Sequence, residues 1–424
     1  MTEGRVDYAR EATAGLTTFL TMSYIVVVNP SILATEGTGM SFSGAMTSTV
    51  LVAFLGTLAM GMLARLPYAM APGMGLNAFF AFTLVLGKGV PWQTALGLVF
   101  WSGAIFLLIS TSRAREAIVK ALPLSLRSAA AAGIGLLLTF IGLRNAGIVV
   151  ADPQTLVRLG DLGIPTLLAL LGLVLGAGML MRDHPFSFLA SIAVVTALGW
   201  MSGQVAAPAT IWAIPDFSGT FLQLDLVGAL QWTLVPALMA LMVTDLFDSV
   251  STFVGVARIG GLTTESGEPL RLREGLMVDA GATLLSGLAG TSPATTYVES
   301  SAGIRVGGRT GWTAVFAALC FLPCLFLAPL AAAVPSFATA PVLILVGLFM
   351  FGGVRDFELA KLEEALPPFL VTILIPLTFS ITRGILWGLV SHVALYTIRG
   401  RAGEIGKVLW IMSAAAAGLL ILDV

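Results

Sequence analysis

LPYAMAPGMGLNAFFAF, residues 66–82, is an apolar run that cannot be one helix from end to end. Pro67 and Pro72 lack the amide hydrogen a helical turn needs, and Gly73 and Gly75 follow at once. A second run of this kind, GTSPATTYVESSAG at residues 290–303, opens on Gly290 and Pro293 before a β-branched stretch. Both sit in a chain of 424 residues that is 57% hydrophobic and 11% charged, with mean hydropathy +0.96. A soluble protein carries about 25% charged residues, so the chain reads as an all-α polytopic membrane protein. Short segments interrupted by Gly and Pro at corresponding places in two halves are the sequence mark of a transporter binding site.

The remaining apolar runs approach the roughly 20 residues that cross the hydrocarbon as a helix, and none alternates as barrel strands do. Spans are predicted near 13–33, 45–64, 70–86, 93–111, 126–144, 164–181, 186–202, 231–256, 274–290, 293–304, 312–333, 340–353, 367–380 and 384–398. The apolar stretch 408–422 reads either as a further span or as a surface helix. The loops are too short for a soluble domain, and the first run lacks a small-residue cleavage site, so it reads as a retained span. With the amino terminus in the cytoplasm, only Lys88, Arg144, Arg158 and Arg383 of the 22 Lys and Arg fall outside. The others, among them Arg5, Arg113, Arg115 and Lys120, fall on the cytoplasmic side, as positive residues do.

A trace of duplication accompanies this pattern. Pro123 and Gly135 in LPLSLRSAAAAGIG are spaced as Pro335 and Gly347 are in VPSFATAPVLILVG, half a chain further on. Seven spans per half is an odd number, so the halves would insert in opposite orientations as an inverted repeat.

Three acids stand where so apolar a chain should have none: Asp245 and Asp248 in VTDLFDSVSTFVG, and Glu299 in the second broken run. A carboxylate at the bilayer centre costs roughly 2.5–3.5 kcal/mol on insertion scales, so it is kept where it lines a cavity or has a partner. Asp245 and Asp248 fall about 60° apart around a helix and are expected on one face. Glu299, with Val298 beside it, follows a broken helix start whose free amides suit a planar heterocycle carrying donors and acceptors. Asn77 offers donor and acceptor together, Phe79, Phe80 and Phe82 are candidates for a stacking surface, and Asp279 reads as structural. Cys320 and Cys324 read as packing residues, and His184 and His392 form no metal cluster, so neither metal nor cofactor is expected.

At these residues the chain resembles the adenine/guanine/hypoxanthine permeases, the purine branch of the nucleobase–ascorbate transporters. The likeness is carried by TTFLTMSYIVVVNPSIL (17–33), APGMGLNAFFAF (71–82), DLFDSVSTFVG (245–255) and GTSPATTYVESSAGIRVGGRTG (290–311). Where that family usually reads GTSTVTTYIES this chain has Pro293 and Ala294, a departure that touches local backbone shape. The resemblance implies about 14 transmembrane segments in two inverted seven-span repeats, with short strands preceding half helices in spans three and ten. It implies a core from 12–122 and 225–334, a gate from 123–205 and 335–400, and a C-terminal segment 401–424. Base contacts would fall on Gly75, Asn77, Asp245, Asp248, Val298 and Glu299. Import would be proton-coupled through Glu299 and Asp245, by a sliding of core against gate, with Na⁺ the alternative ion.

Expected partners are a nucleobase, membrane lipid and a second copy of the chain, with no nucleic acid, in the cell membrane. A uracil or xanthine permease is the alternative reading. An anion transporter would want positive charge at mid-membrane, and an aspartyl protease would need a YD and GxGD pair on neighbouring spans; neither pattern is present in the sequence.

Overall fold

The computed structural model describes residues 6–111, 123–264 and 268–421. Arg5, Arg113, Arg115, Lys120, the expected core boundary at 122 and the chain from 422 onward lie outside them.

The first repeat runs through α1 (Tyr8–Met22), α2 (Ile25–Leu33), α3 (Phe42–Ala59), β1 (Met70–Pro72), α4 (Met74–Ala78), α5 (Trp92–Thr111), α6 (Leu124–Asn145), α7 (Ile164–Leu180) and α8 (Ser187–Met201). A strand pair, β2 (Val149–Asp152) and β3 (Leu156–Leu159), joins α6 to α7. The second repeat runs through α9 (Val235–Gly260), α10 (Leu272–Ala289), β4 (Ala294–Thr296), α11 (Ser300–Val306), α12 (Gly311–Phe321), α13 (Ala328–Ala332), α14 (Ser336–Phe351), α15 (Leu362–Thr378) and α16 (Ile381–Ile398). A last helix, α17 (Lys407–Ile421), packs on α16 and is about 22 Å long, short of the roughly 30 Å hydrocarbon. Among the described residues, seven helices are long and apolar enough to cross a bilayer.

The two broken runs meet. β1 and β4 pair antiparallel with Met70 opposite Thr296, Ala71 opposite Thr295 and Pro72 opposite Ala294. The pair is flanked by Gly73 N–H to Pro293 O at 2.9 Å and Tyr297 N–H to Ala69 O at 3.0 Å. In this alternation Pro72 faces outward, so its missing N–H takes no bond from the ladder. The outer edge of β1 is closed by Thr57, whose hydroxyl donates to Met70 O at 3.0 Å and accepts Met70 N–H at 2.9 Å. Irregular backbone at this depth survives only because such partners replace water. Gly290, at φ +96°, makes the turn from α10 into β4, where a side chain would meet Thr220.

The duplicated glycines also meet. A Cβ on Gly135 would stand 2.5 Å from Gly347 O, and one on Gly347 would stand 2.4 Å from Gly135 O. Equivalent positions of the two repeats thus touch where α6 crosses α14, as the two-fold axis of an inverted repeat requires.

The structure differs from the sequence reading at several points, among them the division of the expected span 312–333 into α12 and α13. Span one breaks between Met22 and Ile25; α15 begins at Leu362 and carries Pro367, Pro368 and Pro376 inside it; and the β2–β3 hairpin was not expected. That hairpin turns on Asp152, whose carboxylate accepts the N–H groups of Gln154 and Thr155, both at 2.9 Å, and is held below the usual carboxylate range by them.

Candidate functional site

A cavity of about 630 Å³ lies between α4 and α9 on one side and α6, α14, α15 and α16 on the other. Its size falls within the range of small-ligand sites. Gly75, Thr244, Phe247 and Asp248 line it from the first side, Arg127 and Ile134 from the second. It reaches the end of the bundle where α9 finishes, at Arg258 and Asp356.

Asp248 is half-buried in that wall, and no hydrogen bond ties its carboxyl to the other described residues. Gly75 reaches the wall because it has no side chain: a Cβ there would stand 2.7 Å from Ile134 on α6. Phe247, absent from the sequence reading as a site residue, lines the same cavity, and the Arg127 guanidinium lies 5.3 Å from its ring centre. A flat aromatic face, a cation and the free carboxyl thus line one cavity.

Asp245 is turned the other way, against the expectation of one shared acidic face. It is fully buried, does not line the cavity, and meets Thr283 of α10 at 2.7 Å. The reason is packing: β4 and α10 lie against that side of α9, so one turn of helix separates a cavity wall from an interior contact. Asp279 joins this interior layer, accepting hydrogen bonds from Ser249 and, at 3.1 Å, from Thr296 of β4.

Glu299 is half-buried immediately before α11, where the Tyr24 hydroxyl donates to its Oε1 at 2.8 Å. Val298 beside it is 51% exposed. Neither is among the residues lining the 630 Å³ cavity. Asn77 is fully buried, and its amide donates to Asn29 Oδ1 at 3.0 Å, while its own Oδ1 has no partner among the described residues. Asn29 is the hub of that layer, donating to Thr49 at 2.8 Å and to Thr291 at 2.9 Å. Sequence reasoning passed over Asn29 and Tyr24, although an Asn in so apolar a span was a signal of a required partner. Phe79, Phe80 and Phe82 are buried away from this cavity, and Phe82 packs edge-on against Phe379.

Comparison with known proteins places this geometry. The profile of a family described as "Permease family" matches residues 9–386. The adenine permease AdeP of Escherichia coli is 41% identical over 95% of this chain and 90% of its own. The guanine/hypoxanthine permease PbuO of Bacillus subtilis is 37% identical over 95% of each chain. Among solved structures, the transmembrane domain of a cyanobacterial bicarbonate transporter, BicA, superposes with a TM-score of 0.64 at 16% identity, covering 92% of this chain and 98% of that one, a likeness of fold.

Proposed function

The chain belongs to this permease family, and from that premise we propose that it is a purine nucleobase transporter, importing adenine, guanine or hypoxanthine by proton symport. It is a multi-pass membrane transporter and not an enzyme. The observation that carries the reading is a free acid next to an aromatic residue, Asp248 with Phe247, in a cavity roomy enough for a purine in a chain whose relatives are named for adenine and for guanine/hypoxanthine. A carboxyl accepts the N–H groups of a purine edge while Phe247 packs on the ring.

Core and gate follow the expected division, spans one to four and eight to eleven against the rest. The cavity supports it, since α4 and α9 face α6, α14, α15 and α16 across a gap. With the amino terminus in the cytoplasm of the cell, the cavity opens inward at Arg258 and Asp356. In an elevator-like cycle the core would carry the base past the gate. Glu299 is the proposed proton-coupling group, because its side-chain partner among the described residues is a neutral phenol, the Tyr24 hydroxyl on Oε1, which does not compensate a charge there.

Uptake of labelled adenine, guanine and hypoxanthine in cells lacking their own purine permeases tests the reading. Accumulation that excess purine blocks, that a protonophore collapses and that sodium removal spares is expected. Competition by uracil or xanthine alone would sink the adenine/guanine/hypoxanthine assignment, and dependence on sodium would sink the proton.

A further inference from the structure

The hydrogens of the layer behind β4 can be assigned by counting. Thr283 Oγ1 stands 2.7 Å from Asp245 Oδ2 and 3.0 Å from the carbonyl oxygen of Ala294. A threonine hydroxyl has one hydrogen to give, and a carbonyl oxygen only accepts. Ala294 O points to the outer edge of the β1–β4 pair, where Thr283 is its donor. The hydrogen in that contact belongs to Thr283, so the one between Asp245 and Thr283 comes from Asp245.

The first repeat shows the same device without an acid. There Thr57 donates to Met70 O and receives the Met70 N–H. Met70 and Ala294 are equivalent under the two-fold relating the strands, since each lies opposite the other's neighbour but one. In the second repeat the Asp245 carboxyl therefore occupies the place of an amide donor.

Asp279 has the opposite surroundings. The hydroxyls of Ser249 and Thr296 both donate to it, which makes it an acceptor on both oxygens. Both carboxyls are fully buried on the facing sides of α9 and α10, where two like charges do not both ionise, and the donors choose Asp279 as the charged one. Asp245 Oδ1 has no partner among the described residues, which suits the carbonyl oxygen of a neutral acid better than a bare carboxylate oxygen.

We propose that Asp245 is a resident carboxylic acid, a positioning residue whose O–H, relayed through Thr283 to Ala294, pins β4 against α10 and keeps its proton throughout transport. This replaces its expected part in proton coupling, which falls to Glu299. The titratable groups that face it are Asp279 of α10 and Asp248 of its own helix.

In Asp245→Asn an amide N–H takes over as donor to Thr283. The variant is expected to import labelled adenine within about three-fold of wild type and with the wild-type pH profile, whereas Asp245→Leu, which has no donor, is expected to fall at least about tenfold. Purified wild type in lipid is expected to show a carboxylic-acid C=O stretch in the infrared that persists from about pH 5 to about pH 9, far above the ordinary range for aspartate. That band is expected to be missing in Asp245→Asn and shifted in Thr283→Val, which serves if the asparagine variant does not accumulate. Loss of uptake or an altered pH profile in Asp245→Asn at normal membrane abundance overturns the proposal, as does absence of the band or its indifference to Thr283→Val. Only the uptake arm rests on the purine reading, so a wild type that carries the band but takes up no purine sinks that reading alone.

Discussion

Replacing Gly347 by alanine is expected to force apart the crossing on which the two repeats meet. The new Cβ would stand 2.2 Å from Thr139 Oγ1 and 2.4 Å from Gly135 O, where ordinary contact begins at 3.4 Å. The threonine can rotate away; the Gly135 carbonyl is helix backbone and cannot. Relief therefore requires α6 and α14 to separate by about 1 Å over a close-packed crossing, and overpacking of that kind costs roughly 1–3 kcal/mol. Gly178 on α7, where a Cβ meets nothing within 4 Å, is the matched control, and its alanine variant is expected to be neutral or stabilised by up to about 1 kcal/mol. The assay is the thermal unfolding midpoint of both variants in the same detergent, followed by purine uptake at matched abundance. Uptake is expected to fall with the midpoint in Gly347→Ala, because Ile134 and Met350 from these two helices line the cavity. A Gly347→Ala protein that melts no lower than Gly178→Ala would refute the reasoning.

Three further outcomes follow from other contacts. Asp248→Asn is expected to lose purine uptake at least tenfold, about 1.4 kcal/mol or more, while keeping the wild-type melting temperature, since no hydrogen bond ties that carboxyl to another described residue; a simultaneous drop in both would make it structural. Asn29→Ala removes the acceptor of the buried Asn77 amide and the donor to two threonine hydroxyls, so a loss of roughly 1–3 kcal/mol in detergent stability is expected together with reduced uptake. Glu11 is buried and accepts the N–H groups of Arg309 at 3.2 Å, Thr310 at 3.4 Å and Thr313 at 3.1 Å, tying α1 to the start of α12. Glu11→Ala is expected to cost roughly 1.5–3 kcal/mol, read as a lowered melting temperature, and Glu11→Gln less, because it keeps one acceptor oxygen.

Much of the fold was legible before any coordinates. Proline and glycine at 66–75 and 290–293 forbid continuous helix whatever surrounds them, so the two interrupted spans could be located by composition alone. The spacing of Pro123 with Gly135 and of Pro335 with Gly347 carried the duplication, although nothing in it said that the two glycines would touch. Asn29 and Tyr24 escaped notice because each is one polar residue in an apolar helix, and its meaning depends on partners some twenty to nearly three hundred residues away.

By itself the sequence determined that the chain crosses a membrane many times, that it does so in two related halves, and that acids cluster near its broken spans. These follow from hydrophobicity and backbone stereochemistry, which act locally and can be read from neighbours. Only the tertiary structure decided which acid faces the cavity. Asp245 and Asp248 share one helix and one side-chain chemistry, and differ because α10 and β4 pack against one while a gap to α6 and α16 opens before the other. A helix fixes the angle between its residues, but its surroundings assign each of them to interior or to water.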